Sequence, residues 1–157
     1  MKITVIVIDD EAILRQSIRA ALEADPDIRV VGEAWDWETG VSLVKRWHPE
    51  VITLDIRLGE DSGITLCKAV TNVSPGTRVL VLSAYDDSRY VKAMVQLGVS
   101  GYLLKTASGK ELCDAVHAVV TDKHIFVNGV AGRPTGPDLR AGPFFSAAPP
   151  PREDYGL

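Results

Sequence analysis

Cysteine is scarce in this chain, and neither cysteine is placed to form a metal site or a disulfide framework. Cys67 and Cys113 are the two cysteines among 157 residues, and both fall inside helical patterns far from each other. Neither belongs to a C-x-x-C pair, the spacing that is typical of zinc and redox sites. We therefore expect two small, buried and reduced thiols.

Long apolar runs are also missing from the sequence. Six apolar or neutral residues, Ile3–Ile8, separate Lys2 from Asp9, which is fewer than the core of a secretory signal peptide contains. No run approaches the roughly 20 residues that a helix needs to cross a bilayer. We therefore expect a cytoplasmic protein without a membrane partner.

The sequence also lacks an excess of basic residues. The chain has 17 Lys and Arg against 21 Asp and Glu, a formal net charge of −4. Such a balance argues against nucleic-acid binding through this segment, because a binding surface must neutralise phosphates. Apolar residues make up 46 % of the chain, which is enough for a sizeable core.

Four short apolar runs are present, and each ends at a polar residue. They are Ile3–Ile8 before Asp9 and Asp10, Val51–Leu54 before Asp55, Val79–Leu82 before Ser83, and Tyr102–Leu104 before Lys105. Short runs rich in β-branched residues, alternating with helical patterns, predict buried parallel strands. In an open α/β sheet, ligands bind outside the carboxyl ends of the strands. We therefore expect these polar groups to meet at one edge.

The full pattern predicts five strands alternating with five helices, as in a doubly wound parallel α/β sheet. The predicted strands cover 2–8, 28–32, 51–55, 78–83 and 101–104, and the helices lie near 12–24, 38–47, 63–73, 88–97 and 109–121. Helical spacing predicts buried stripes of Ile13, Ile18 and Leu22 in the first helix and of Val41, Val44 and Trp47 in the second. Ser108 and Glu111 have the spacing of a capping box at the start of the last helix.

The end of the chain differs in composition from the rest. From Asn128 onward it holds six of the nine prolines and five of the 13 glycines, without strand or helix periodicity. Such a composition is typical of linkers. We predict an ordered domain over residues 1–124 and a linker or flexible tail over 125–157.

The polar groups at the predicted sheet edge suit a hard cation and a phosphoryl group. Like charges about 4 Å apart repel by roughly 4 kcal/mol at an effective dielectric near 20, so Asp9, Asp10 and Asp55 need a compensating charge. Mg²⁺ prefers such oxygen ligands. An aspartate beside it can attack a phosphoryl group, while Lys105 neutralises the transferring oxygens and Ser83 hydrogen-bonds one of them.

Each of these residues also has a plainer interpretation. The acidic pair could cap the first helix, Asp55 could be a turn residue, and Ser83 and Lys105 could be solvated loop groups. Trp35 and Trp37 are expected to cover the end of the second helix, with a partner surface as the alternative. The three histidines share no ligand spacing, so we expect no metal or catalytic role for them; they are His48, His117 and His124.

The chain resembles the receiver domain of bacterial two-component response regulators. The matching stretches, spread over residues 1–121, are IVIDDEAILR, PEVITLDIRLGEDSG, VLVLSAYDD and LGVSGYLLKTAS. DDEAILRQSIRAAL, SAYDDSRYV and GVSGYLLK are most similar to receivers of NarL/FixJ-type transcription factors. The resemblance implies a flavodoxin-like (βα)5 fold around a five-stranded parallel sheet.

The same resemblance implies a role for each site residue. Asp55 matches the phospho-acceptor, and Asp9 and Asp10 match the acidic pair that holds Mg²⁺ together with Asp55 and the backbone carbonyl of Arg57. Lys105 matches the family's lysine, Ser83 the switch hydroxyl and Tyr102 the switch aromatic. The family's frequent Met-Pro after the phospho-acceptor is Leu58-Gly59 here, which removes a rigid turn but no chemical group.

The expected function is that of a signalling switch. A histidine kinase supplies the phosphoryl group, and a homodimer on phosphorylation is left open. The chain would catalyse its own phosphorylation and dephosphorylation but would not be an enzyme with an external substrate. Its output would be transcription regulation through a DNA-binding domain absent from this chain; the alternative is a stand-alone or non-phosphorylated receiver that acts as a protein-interaction module.

Two enzyme-like alternatives fit the residues poorly. A haloacid-dehalogenase-like phosphatase would need a second aspartate two residues after Asp55, where the chain has Arg57. A Rossmann-like nucleotide-binding domain would need a glycine-rich turn after the first strand, where the chain has Asp9, Asp10 and Glu11.

Overall fold

The computed structural model describes residues 1–55, 62–83, 94–121 and 125–126, with the backbone alone for 62–64 and 125–126. In chain order its elements are β1 (Ile3–Ile8), α1 (Ala12–Glu23), β2 (Ile28–Ala34), α2 (Trp37–Trp47), β3 (Val51–Asp55), α3 (Ser62–Val73), β4 (Arg78–Ser83), β5 (Gly101–Leu104), α4 (Gly109–Val120) and β6 (Ile125–Phe126). Arg57, Leu58 and Gly59 lie outside the described residues. The predicted helix at 88–97 is described only from 94 onward, where residues 94–96 are helical.

The described strands form a single parallel sheet in the order β2-β1-β3-β4-β5-β6. The five predicted strands are confirmed, and their 2-1-3-4-5 order is that of a flavodoxin-like, doubly wound fold. The two-residue strand β6 extends the sheet beyond β5 through the pairs Gly101↔Ile125 and Tyr102↔Phe126. The order reverses direction between β1 and β3, which is where folds of this kind bind ligands.

Helices cover the sheet and close the core. α1 packs against α4, and α2 packs against α3. Gly40 lets α2 approach β1 closely, because a Cβ there would lie 3.0 Å from Ile8 Cδ1. All residues of β3 and β5 are buried, as expected of strands that are covered on both faces.

The predicted stripe of α1 is partly wrong. Ile18 and Leu22 are buried as predicted, but Ile13 is 82 % exposed. Leu14 packs against the core in its place. Leu14 is four residues before Ile18 and therefore about 40° from it around the helix, whereas Ile13 is five residues before it and about 140° away.

The predicted stripe of α2 also fails at its last member. Val44 is buried and Val41 packs against the core, but Trp47 is 43 % exposed. Trp47 lies in the final turn, where the chain leaves the helix through a left-handed His48 (φ 44°), and the Arg46 guanidinium stands 5.6 Å from its ring centroid. Trp35 and Trp37 remain 56 % and 38 % exposed, so any cover that they give α2 is partial.

Two other sequence predictions are confirmed. At the start of α4, Ser108 Oγ accepts from Glu111 N and the Glu111 carboxylate accepts from Ser108 N, which is the predicted capping box. Cys67 and Cys113 are both buried free thiols. Burial raises the pKa of the Cys67 thiol to about 12, which keeps it protonated and unreactive.

Candidate functional site

Asp9 follows the last residue of β1 and is completely buried. Its backbone N donates to Ala34 O at 3.0 Å, which ties it to the end of β2. Its Oδ1 accepts from Glu11 N at 2.8 Å, so the carboxylate closes the turn into α1 from two residues before the N-cap, Glu11. The N-cap of α1 is Glu11, which makes no side-chain capping bond, so Asp9 orders the turn before the helix and does not cap the helix itself.

Asp55 ends β3 one strand away from Asp9 and is 1 % exposed. The register pairs Ile8 with Leu54, so Asp9 and Asp55 are the next residues on two hydrogen-bonded neighbours. Asp10 lies beside them and is exposed. One carboxylate oxygen of each of the three aspartates lies within 4.8 Å of those of the other two. The structure thus brings together the three carboxylates that the sequence placed at this edge.

Lys105 reaches the cluster from the end of β5, which lies two strands from β3 in the sheet. Its backbone N donates to Ser83 O at 2.7 Å, which continues the pairing of β4 with β5 one residue beyond β5. Its Nζ lies 3.1 Å from Asp55 Oδ2 and 3.5 Å from Asp9 Oδ2, and the residue is 6 % exposed. One ammonium group therefore faces two buried carboxylates and a third, exposed one nearby.

Burial and the neighbouring carboxylate together perturb the pKa of Asp9. Burial, reinforced by the negative charge of Asp55, raises the pKa of Asp9 to about 7, against the lowering effects of Lys105 and of the Glu11 hydrogen bond. A carboxyl that protonates near neutral pH marks a site that holds its full negative charge readily only when a cation offsets it. Carboxylate oxygens are the ligands that Mg²⁺ prefers, so the chemistry of the donors fits that ion.

Ser83 and Tyr102 lie on one face of the sheet in neighbouring strands. The register pairs Tyr102 with Val81, and Ser83 is two residues beyond Val81, so strand alternation gives both side chains the same face. Both residues are fully buried. The Ser83 side chain is nearer the acidic edge by two residues, about 7 Å along the strand.

The structure also forms a cluster that the sequence did not indicate. His117 Nε2 of α4 lies 2.9 Å from Asp25 Oδ2 in the turn after α1, and Asp27 stands close to both. The Asp27 N hydrogen bond and, after it, His117 lower the pKa of the Asp25 carboxyl, against the opposing effect of burial. Asp25 and His117 lie 92 residues apart in the chain, so no local pattern could have predicted the contact. We interpret the contact between His117 and Asp25 as a structural link that holds α4 against the end of α1.

Among the described residues, no helix is both long enough and apolar enough to cross a membrane.

Comparison with known proteins places the chain among response regulators. The family profile described as the response regulator receiver domain matches residues 5–117. The transcriptional regulatory protein DegU of Brevibacillus brevis is 36 % identical over 118 residues, which cover 75 % of this chain and 50 % of DegU. LiaR of Bacillus subtilis, another transcriptional regulatory protein, is 34 % identical over 131 residues, covering 83 % of this chain and 62 % of LiaR. The chain thus spans about half to two thirds of the length of these relatives.

A solved structure agrees with these sequence matches. The signal receiver domain of the response regulator NarL from Mycobacterium tuberculosis superposes with a TM-score of 0.72 at 34 % identity, covering 76 % of this chain and 97 % of that one. The fold, the family profile and the acidic edge at the β1/β3 reversal all agree. The chain belongs to the response regulator receiver family, and its homologues are transcriptional regulators of the NarL/LuxR type.

Proposed function

We propose that this receiver accepts a phosphoryl group on Asp55 from the phosphohistidine of a histidine kinase. The observation that carries the proposal is the buried Asp55 carboxylate, 3.1 Å from Lys105 Nζ and grouped with Asp9 and Asp10 at the reversal point of the sheet. A nucleophile, an acidic metal site and a fixed cation are the parts that phosphoryl transfer to a carboxylate requires.

In the proposed reaction, an Asp55 carboxylate oxygen attacks the phosphorus of the phosphohistidine. An O–P bond forms as the N–P bond breaks, and the leaving imidazole nitrogen takes up a proton. Lys105 is already directed at Asp55, so its charge is available to the equatorial oxygens without reorganisation. In the dephosphorylation step, water attacks the phosphorus of the acyl phosphate. This restores the Asp55 carboxylate and releases inorganic phosphate.

Asp9, Asp10 and Asp55 would hold the metal, together with the backbone carbonyl of Arg57, which lies outside the described residues. When bound, Mg²⁺ would neutralise negative charge on the transferring oxygens and on the carboxylates themselves. The raised pKa of Asp9 supports this assignment, because burial and the negative charge of Asp55 disfavour its ionised form despite Lys105, and a bound cation would favour that form.

The proposed switch uses the shared face of Ser83 and Tyr102. A phosphoryl group adds strong acceptor oxygens and roughly one extra negative charge at the site edge. Ser83 can turn its hydroxyl toward those oxygens, which frees space toward Val81, the register partner of Tyr102. Tyr102 would fill that space, and the surface of β5 and the neighbouring helices would change with it.

The proposed output is transcription regulation. DegU and LiaR are named as transcriptional regulatory proteins, and they are longer than this chain. We propose cytoplasmic action, a histidine kinase as partner and, for the phosphorylated form, a homodimer. A receiver that acts without phosphorylation, as a protein-interaction module, is the alternative that the first experiment below separates.

The first test is phosphorylation by acetyl phosphate in the presence of Mg²⁺, read by intact mass. The wild-type chain should gain one phosphoryl group, and Asp55→Asn should gain none. Asp114→Asn is the matched control, because Asp114 is an exposed aspartate of α4 that pairs with Lys110. Labelling of Asp55→Asn at the wild-type level would place the acceptor elsewhere, and an unlabelled wild type would favour the interaction module.

The second test concerns the switch. Beryllofluoride with Mg²⁺ should mimic the phosphoryl group and shift the amide resonances of residues 83–97 and 101–105. Ser83→Ala should reduce these shifts, because it removes the proposed link between Asp55 and Tyr102. If beryllofluoride binds while these amides stay unchanged in the wild-type chain, the proposed relay is wrong even though the acceptor assignment stands.

A further inference from the structure

Arg15 connects the acidic pair to the edge strand of the sheet. Its side chain, 15 % exposed, leaves the second turn of α1. Nη1 donates to the backbone carbonyl of Asp9 at 2.8 Å, and Nε donates to Glu33 Oε1 at 3.1 Å. The guanidinium therefore bridges the backbone of a predicted metal ligand and a carboxylate of β2.

Glu33 is itself held in place from two sides. Its other oxygen, Oε2, accepts from Arg19 Nη1 at 2.6 Å, and Arg19 Nε pairs with Glu23 at 3.1 Å. Glu33 directly precedes Ala34, whose carbonyl accepts from Asp9 N. The end of β1 is thus tied to β2 twice, once by backbone and once through the Arg15 side chain.

We propose that Arg15 is a positioning residue for the Mg²⁺ site. The Asp9 carbonyl belongs to the peptide group that joins Asp9 to Asp10, so a donor fixed on that oxygen fixes the plane of the peptide. The plane sets the direction in which Asp10 leaves the backbone, just beyond the last residue of β1. This inference rests on the proposed function, since it assigns a role within the same site.

The bridging geometry suits arginine better than lysine. A guanidinium presents several N–H groups in a rigid plane, so one group can point at Asp9 O while another points at Glu33. An ammonium on a flexible stem can satisfy one acceptor but does not fix the angle between two. Arg15→Lys is therefore expected to keep the positive charge and lose part of the positioning.

A purely structural role makes a different prediction, and Arg19 provides the matched control. Within residues 1–55, Arg19 shares the Glu33 carboxylate with Arg15, and the contacts it makes are with Glu33 and Glu23 rather than with Asp9. If ion pairing to Glu33 were all that mattered, the two arginines would be equivalent. If the Asp9 carbonyl matters, only Arg15 affects the metal.

The experiment is a Mg²⁺ titration of the full chain, followed calorimetrically, for wild type, Arg15→Met, Arg15→Lys and Arg19→Met. Loss of a group that orients a metal ligand typically weakens binding about 10- to 100-fold, and we expect Arg15→Met to fall in that range. Arg15→Lys should be intermediate, and Arg19→Met should stay within about twofold of wild type. Thermal unfolding without metal should show similar, small losses for Arg15→Met and Arg19→Met, as expected of partly exposed ion pairs.

A second readout needs no metal. In the metal-free chain, the carbonyl carbon resonance of Asp9 and the amide resonance of Asp10 should move in Arg15→Met and stay in place in Arg19→Met. These nuclei report the peptide plane directly and keep the test decisive if the calorimetric differences are small. If Arg15→Met does not fold, the same comparison is made with Arg15→Lys.

Wild-type Mg²⁺ affinity in Arg15→Met, or equal weakening in Arg15→Met and Arg19→Met, would overturn the inference. So would unchanged Asp9 and Asp10 resonances in the folded Arg15 variant. Wild-type protein that binds Mg²⁺ but takes no phosphoryl group from acetyl phosphate would defeat the proposed function and leave the inference standing. Wild-type protein that binds no Mg²⁺ would overturn both.

Discussion

At the carboxyl edge of the sheet the buried polar groups include three charged side chains, whereas the buried hydroxyls of Ser74 and Thr77 at the amino edge are neutral. The carboxyl edge brings Asp9, Asp55 and Lys105 together in a site that one ammonium cannot balance. At the amino edge, the turns that lead into β3 and β4 are joined by side-chain hydroxyls. Ser74 Oγ and Thr77 Oγ1 lie 2.6 Å apart, and Thr77 Oγ1 donates to Pro49 O at 2.6 Å.

The two edges differ in how the burial of their polar groups affects stability. A neutral hydroxyl chain in which every oxygen has a partner adds to stability, because no donor or acceptor is desolvated without compensation. A buried cluster of like charges opposes folding unless enough positive charge offsets it, and here Lys105 alone faces three carboxylates. The amino edge should therefore respond to mutation through stability, and the carboxyl edge through phosphorylation and through metal- and pH-dependence.

The largest expected effect is at the carboxyl edge. Lys105→Met should lower the rate of phosphorylation by acetyl phosphate about 10²- to 10³-fold, the range for loss of one preorganised group that stabilises developing charge. Lys110→Met is the matched control, because Lys110 is 84 % exposed and pairs with Asp114 on α4. Equal rates for the two variants would show that the Asp55–Lys105 contact has no part in the reaction.

The second effect is a dependence of stability on pH. The pKa of Asp9 is about 7 in the folded chain and near 3.9 in the unfolded chain, so between these values the native state binds the extra proton. Stability of the metal-free protein should therefore fall as pH rises from about 4 to about 7. The thermal midpoint should be several degrees higher at pH 5.5 than at pH 8.

Saturating Mg²⁺ should flatten that dependence, because the ion stabilises the ionised carboxylates. Asp9→Asn should also flatten it, by removing the group that titrates. A metal-free midpoint that is equal or higher at pH 8 would mean that the carboxylates are better compensated than the geometry indicates.

The third effect belongs to the amino edge. Thr77→Val removes the donor to Pro49 O and the acceptor for Ser74, and it should reduce the free energy of unfolding by about 1–3 kcal/mol. Thr71→Val is the control, since the exposed Thr71 hydroxyl bonds within its own helix, to Cys67 O at 2.9 Å. Denaturant unfolding measures both variants, and phosphorylation by acetyl phosphate should be unchanged in each. A large loss of phosphorylation in Thr77→Val would show that the two edges are coupled.

The smallest expected effect concerns which ring nitrogen of neutral His48 carries the proton. A carbonyl can only accept, so the Thr77 hydroxyl proton points at Pro49 O and Ser74 must donate to Thr77 Oγ1. Ser74 Oγ then accepts from His48 Nδ1, 3.2 Å away. Neutral His48 should therefore carry its proton on Nδ1, as read from its ring ¹⁵N shifts, and Ser74→Ala should release that preference. An Nε2–H tautomer in the wild-type protein would contradict the proposed direction of these hydrogen bonds.

Five of the six described strands, and the chemical types at the ends of four of them, could be predicted from the sequence. Each strand is a local run of β-branched or apolar residues, and the polar residue that stops it is its neighbour in the chain. For that reason Asp9, Asp55, Ser83 and Lys105 could be assigned to one edge before any contact was known. The capping box of α4 was equally predictable, because its two members are three residues apart.

Tertiary structure alone decided which groups face one another across elements. The exposure of Ile13 and Trp47 depends on where each helix meets the sheet, which periodicity gives only to within part of a turn. The contacts of Arg15 with Glu33 and of His117 with Asp25 join residues 18 and 92 positions apart. Long, flexible polar side chains carry no periodic signal for such pairs, because their partners are chosen by the packing of α1 on β2 and on α4.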